Sequence, residues 1–193
     1  MTKLNTYEIK NTNNQVIFSG KFNSFKDCVE AAVSRKINLQ DANLQDANLQ
    51  GANLQGAYLQ GAYLYKCNLQ GANLQDANLQ GANLQGAYLQ GANLRYVNLQ
   101  GAYLQGAYLY KWNLQGANLQ DANLQDANLQ DANLQDAYLQ GAYLKDANLQ
   151  VADLRYVNLE GANLYKCNLQ DANLQGADLR YVNLQGAYLQ GVK

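Results

Sequence analysis

Between residues 39 and 189 a leucine returns at every fifth position, 31 times without a gap. Five matches neither regular period. On an α-helix each step of five turns the side chain about 140° further round, which would scatter the leucines over the whole surface. On a straight strand each step of five would flip the face. The spacing fits a chain in which every five-residue unit forms one side of a square and bends at the corner, so that each Leu points inward. Counting from that Leu, position −2 is Ala in 24 units, position −1 is Asn in 21 and Tyr in 8, position +1 is Gln in 23, and position +2 is Gly in 15 and Asp in 9. Positions −2 and zero therefore face in, −1 and +1 face out, and +2 turns. Gly at +2 suits a type II corner with positive φ, and the units with Asp, Lys, Tyr or Val there are expected to turn differently. The outward Asn side chains are expected to stack as amide ladders, most clearly in the column Asn53, Asn73, Asn93, Asn113 and Asn133.

The units ANLQG, AYLQG, ADLRY and ANLQD resemble those of the pentapeptide-repeat proteins, whose motif is A(D/N)LXX, and the match runs over residues 37–191. The resemblance implies an all-β solenoid, a right-handed quadrilateral β-helix with four units and twenty residues per coil. The 31 units then make about 7–8 coils, each depending on its neighbours to bury its apolar side. It also implies four faces, the first counted from Leu39, the second from Leu44, the third from Leu49 and the fourth from Leu54.

Residues 1–36 lack the period. Segments 6–11 and 16–22 read as two short strands around a polar turn. Segment 24–36 reads as a helix with Ser24 as N-cap and an apolar stripe of Phe25, Cys28, Val29, Ala32 and Val33. This ββα unit, 1–36, is expected to cap the first coil of the repeat domain, 37–193, because a solenoid end otherwise exposes strand edges and apolar core. At the other end, QGVK brings no capping helix, and a homodimer through that end is expected.

Composition removes several classes of function. The chain has no His, no Pro, three Cys and a net charge of −1. No usual zinc or haem site, no other metal or cofactor site and no His-based triad can be assembled. A uniform rod offers no recess for catalysis, so no enzyme is expected. Near-neutral charge argues against direct nucleic-acid binding. The N-terminus has no apolar signal-peptide core, and no run approaches a membrane span. Cys28, Cys67 and Cys167 at unrelated spacings read as buried, reduced thiols of a cytoplasmic protein.

What remains is the outside of the rod. Tyrosines at −1 and +1 concentrate on faces two and three, and Tyr63, Tyr65, Tyr88, Tyr103, Tyr108, Tyr110 and Tyr143 form a candidate partner surface. The reading is a non-catalytic structural or protein-interaction rod with an unidentified protein partner. The alternative, which rests on the family resemblance, is a DNA-mimicking inhibitor or protector of DNA gyrase. Against it, Asp121, Asp126, Asp131 and Asp136 ring a single coil instead of lining the rod, and the repeats carry only −4 while residues 1–36 carry +3. One internal duplication stands out: residues 54–79 recur at 99–124 with a single change, Cys67 to Trp112. Trp112 falls on an inward −2 position between Ala92 and Ala132. It is expected to swing outward with a local bulge, or else to strain the coil.

Overall fold

The computed structural model describes residues 4–193. The N-terminal unit opens with β1 (Asn5–Lys10) and β2 (Val16–Phe22), an antiparallel hairpin whose register shifts between Ile9 and Lys10. Helix α1 (Phe25–Ser34) follows. Ser24 caps it, its side chain accepting from the Asp27 amide at 3.1 Å, which satisfies one of the amides a helix start leaves open. Cys28, Val29 and Ala32 are buried and belong to the same apolar cluster as Ile9 and the leucines of the repeats.

From Asn43 onward the chain is a β-solenoid. Position −1 of each unit pairs in parallel with the residue twenty further on, from Asn43 with Tyr63 to Asn168 with Tyr188. Three hydrogen bonds recur at nearly every pairing: the Leu and +2 amides donate to the next coil, as in Leu49 to Asn68 (2.8 Å) and Gly51 to Gln70 (2.8 Å), and the −1 amide donates back, as in Asn73 to Ala52 (2.9 Å). Within each unit the −2 amide closes the corner onto the preceding Leu carbonyl, as in Ala72 to Leu69 at 3.0 Å. The leucines from 39 to 169 and the −2 residues from Ala52 to Ala172, together with Ala42, line one continuous core.

Two local expectations are overturned. The corners do not change type with the residue at +2. Asp, Lys, Tyr and Val corners have φ of 54° to 60°, beside 63° to 72° for Gly. The inter-coil hydrogen bonds fix the corner, and the residue adapts to it, so strain that an isolated turn would avoid is held by the stack. Nor do the Asn side chains chiefly form ladders. In every Asn unit the side-chain oxygen accepts from the backbone amide two residues on, as in Gln50 to Asn48 at 3.2 Å and Gln130 to Asn128 at 3.1 Å, a local Asx turn that shapes the approach to the corner. Asp153 and Asp178 do the same for Arg155 and Arg180. Asn-to-Asn rungs occur at Asn93 to Asn73 and Asn183 to Asn163. The amide ladders belong instead to Gln at +1, as in Gln85 to Gln105 at 3.0 Å and Gln120 to Gln140 at 3.2 Å.

The two ends of the solenoid differ. On the first coil, the Asn43 amide donates to Lys10, the Thr12 amide donates to Asp41, Lys26 Nζ reaches the Gln50 carbonyl, and the Glu30 carboxylate accepts from the Asn53 amide at 2.7 Å. One hairpin end and one helix face thus supply donors and acceptors where a preceding coil would have done so. On the last coil, Leu179 and Leu189 are 38% and 46% exposed. The amides of Leu179, Tyr181, Leu184, Gly186, Leu189 and Gly191 make no backbone hydrogen bond.

Trp112 points into the core and is 1% exposed, so the expected outward swing does not occur. The coil is strained instead. The indole N–H is buried without a partner, a state that costs about 1–3 kcal/mol. An outward indole would have required the in–out alternation of its unit to reverse, which displaces Leu114 as well.

Candidate interaction surface

The tyrosines of the repeats stand on a backbone that fixes their spacing. At −1 or +1 each projects outward, and residues of one column recur one coil apart. Of the seven candidate residues, Tyr88, Tyr103 and Tyr108 are 47%, 49% and 59% exposed. Tyr63, Tyr65, Tyr110 and Tyr143 are half-buried.

Geometry brings some of them together and leaves others apart. Tyr63 and Tyr65 flank Leu64 on face two, their rings 6.3 Å apart. On face three Tyr88 and Tyr108 lie one coil apart with ring centroids 6.3 Å apart and planes within 1° of parallel. With Tyr110, Gln70, Leu89, Gln90 and Asn128 they line a shallow cavity of about 370 Å³. Tyr103 and Tyr143 stand on face two and do not reach it.

A cationic side chain leans over several of the rings. Lys66 lies 5.1 Å from the centre of Tyr65, Lys111 lies 5.0 Å from Tyr110 and Lys166 lies 5.1 Å from Tyr165. In each case the Lys occupies the corner next to a +1 tyrosine, so the pair Tyr-Lys writes the contact into the sequence. Such contacts hold the ring in one orientation and keep a positive charge beside its face. The neighbouring Tyr110 side chain also helps to hold the Lys111 ammonium pKa above its ordinary value.

Counting only −1 and +1 passed over the exposed corner tyrosines Tyr96, Tyr156 and Tyr181. The recurring string RYVNL at 95–99, 155–159 and 180–184 is the signal that would have found them. Tyr96 and Tyr156 lie over Gly116 and Gly176 one coil further on, so close that a Cβ there would stand 2.6 Å from ring carbons.

The charges are local. Arg155 grips Asp153 and Arg180 grips Asp178, each at 2.6 Å, and these hydrogen bonds hold both carboxyl pKa values below the usual range. Asp121, Asp126, Asp131 and Asp136 occupy four successive corners. No group of three or more His, Cys, Asp or Glu side chains placed to hold a metal ion occurs among the described residues. No helix among them is long and apolar enough to cross a membrane.

A family model described as pentapeptide repeats matches the chain in eight copies over residues 37–76, 72–109, 113–150, 132–171 and 158–193. No curated protein matches. Among solved structures, the chain is similar to trypsin-treated QnrB1, a plasmid-mediated fluoroquinolone resistance protein. The identity is 21%, 78% of each chain is covered and the TM-score is 0.55. It is also similar to HetL, a pentapeptide-repeat protein involved in heterocyst differentiation regulation in the cyanobacterium Nostoc, at 30% identity over 86% of this chain and 95% of that one, with a TM-score of 0.31. A third, Rfr23 from the cyanobacterium Cyanothece, is 27% identical over 68% of this chain and 87% of that one, with a TM-score of 0.44.

Proposed function

The chain belongs to the pentapeptide-repeat family, and from that premise we propose that it is a non-catalytic protein-interaction rod. In this reading it is a right-handed quadrilateral β-helix of about 7–8 coils, with residues 1–36 as the cap and 37–193 as the rod. It works in the cytoplasm, where three unpaired thiols stay reduced. The observation that carries the proposal is the row of half-exposed tyrosines along the coils, with Tyr88, Tyr108 and Tyr110 gathered around one shallow cavity. Rings fixed by their backbone bind a partner without a large entropic loss, which is why tyrosine is favoured at interfaces. Tyr63, Tyr65, Tyr103 and Tyr143 extend the same surface around the corner onto face two.

The test is a paired capture experiment with the wild-type rod and the Tyr88→Asn, Tyr108→Asn, Tyr110→Asn triple variant. The variant should fold, since all three positions face outward and Asn stands in most other units at −1, the position of Tyr88 and Tyr108. A protein retained by the wild type and lost by the variant supports the surface. The same proteins retained by both would rule it out.

The last coil extends the proposal to self-association. Leu179 and Leu189 are exposed there beside a row of unpaired amides, and a second copy would cover this edge and pair its backbone. Light scattering should give twice the chain mass at high micromolar concentration; a monomer would refute the dimer. The reading as a gyrase-directed DNA mimic draws support from the fold shared with QnrB1. The charge pattern counts against it, because Lys66, Lys111 and Lys166 sit in corner columns that a phosphate-like row would need acidic. We expect no effect in a gyrase supercoiling assay.

A further inference from the structure

The inter-coil hydrogen bonds are loosened in one place within the solenoid. The amides of Gly86, Leu89 and Gly91 should donate to the carbonyls of Gln105, Tyr108 and Tyr110, and the amides of Tyr108 and Asn113 should donate back to Ala87 and Ala92. None of these five reaches ordinary hydrogen-bond geometry, although every other coil-to-coil position between residues 39 and 174 keeps its rung. The strands there stay paired, Tyr88 with Tyr108 and Asn93 with Asn113. The gap lies on face three and its two corners. At its edge on face four the bond from Leu94 to Asn113 is stretched to 3.2 Å. On face one, opposite the gap, the same two coils stay closed: Leu99 to Asn118 is 2.7 Å and Asn118 to Val97 is 2.9 Å.

The tyrosine rings at the gap, Tyr88 and Tyr108, lie in one column with planes within 1° of parallel. Their centroids are 6.3 Å apart, where an ordinary ladder rises about 4.8 Å. The gap faces Trp112, which fills an Ala column immediately C-terminal to it. The rungs from Leu109, Lys111 and Leu114 on the C-terminal side of that unit remain at 2.8–3.0 Å, so the wedge acts in one direction only.

We propose that Trp112 gives the rod a hinge. The coils before and after it open and close on face three about the intact hydrogen bonds of face one. Opening hydrates the five weakly bonded amides, their five carbonyls and the buried indole N–H together, so groups that are poorly satisfied while the coils are closed all find water in the open state. The hinge also changes the spacing of Tyr88 and Tyr108, which ride on opposite lips of the gap.

Amide hydrogen exchange, resolved by residue, tests this on the full chain. The amides of Gly86, Leu89, Gly91, Tyr108 and Asn113 should exchange at least about tenfold faster than those of Asp41, Leu44, Asp46, Tyr63 and Asn68, their counterparts in the earlier copy. Trp112→Cys, which makes the two copies identical, should slow them to the level of the counterparts. Trp112→Ala, which restores the column, should do the same, so one poorly folding variant does not decide the matter. Emission of the single Trp should be quenched by acrylamide despite its burial. Equal exchange in the two copies of the wild type, fast exchange persisting in the substituted protein, or an unquenched indole would each overturn the hinge.

Discussion

Residues 54–79 and 99–124 carry one sequence twice, and only Cys67 against Trp112 separates them. Their surroundings in the stack are likewise an alanine column and a leucine core. In the first copy the amides of Asp41, Leu44 and Asp46 donate to Gln60, Tyr63 and Tyr65 at 2.8–3.0 Å, and those of Tyr63 and Asn68 donate to Ala42 and Ala47 at 2.8–2.9 Å. In the second copy, none of the five equivalents reaches that geometry, although Tyr88 still pairs with Tyr108 and Asn93 with Asn113. The Cys67 thiol fits beside alanines and donates to the Ala47 carbonyl at 3.2 Å. An indole at the equivalent place stays inside and parts the coils. The core of this rod therefore tolerates one added sulfur atom and yields to a larger group by opening between coils, because the leucine and alanine columns within a coil are already close-packed.

The largest effect should come from moving the wedge. Cys67→Trp puts an indole into the closed copy, where overpacking costs about 1–3 kcal/mol. Urea unfolding should show that loss, and hydrogen exchange should show a second gap at Asp41, Leu44 and Asp46. An unchanged midpoint with intact protection would mean that the gap at Trp112 has another cause. The reverse change is smaller. Truncating a buried Trp to Ala ordinarily costs about 3–5 kcal/mol. For Trp112→Ala the regained hydrogen bonds and the removed orphan N–H offset most of the lost burial, and a net change within about 1 kcal/mol is expected. A loss above 3 kcal/mol would show an indole that is well packed and no wedge.

The two copies also differ through the coils that precede them. Gly71 and Gly116 are equivalent corners, both at φ of +65°. A Cβ at Gly71 meets nothing within 4 Å, whereas one at Gly116 meets the Tyr96 ring. Gly71→Asn should therefore leave the urea midpoint within about 0.5 kcal/mol of wild type, since Asn tolerates left-handed backbone. Gly116→Asn should cost about 1 kcal/mol more, because the ring must leave its place. Equal costs would remove Tyr96 from the explanation.

These contrasts mark what was legible in the residues. The period of five placed Leu and the −2 residues inside, and the N-cap and stripe of α1 were readable from Ser24 to Val33, because in-or-out is a property of a single position. The shape of the corners was not readable in that way: Asp41 and Gly61 look like different turn residues, yet share one backbone imposed from coil to coil. The Asn side chains were read as long-range partners, when the nearest donor to their oxygen is the backbone amide two residues away. For Trp112, size alone announced a conflict. Which side would give way depended on the relative softness of the unit and the stack, and that is a property of the whole assembly. The tyrosine surface was readable as a column pattern, while the gathering of Tyr88, Tyr108 and Tyr110 around a cavity depends on how neighbouring coils stack.

The smallest effect concerns the thiol that stands where the indole would be. Burial, aided by the Asp46 charge, pushes the Cys67 pKa up to about 12. The thiolate is the reactive form, so native Cys67 should resist iodoacetamide at pH 8.5 while the unfolded chain reacts. In Trp112→Cys, the new thiol sits in the closed stack if the wedge was the whole cause of the gap. It should then be as slow to react as Cys67, and mass spectrometry of the alkylated peptides would read both sites in one sample. A new thiol that reacts much faster than Cys67 would mean that this part of the rod stays open without the indole. The cause would then lie in the coil holding Tyr88 and Tyr96, and the single exchange between the copies would not account for the difference between them.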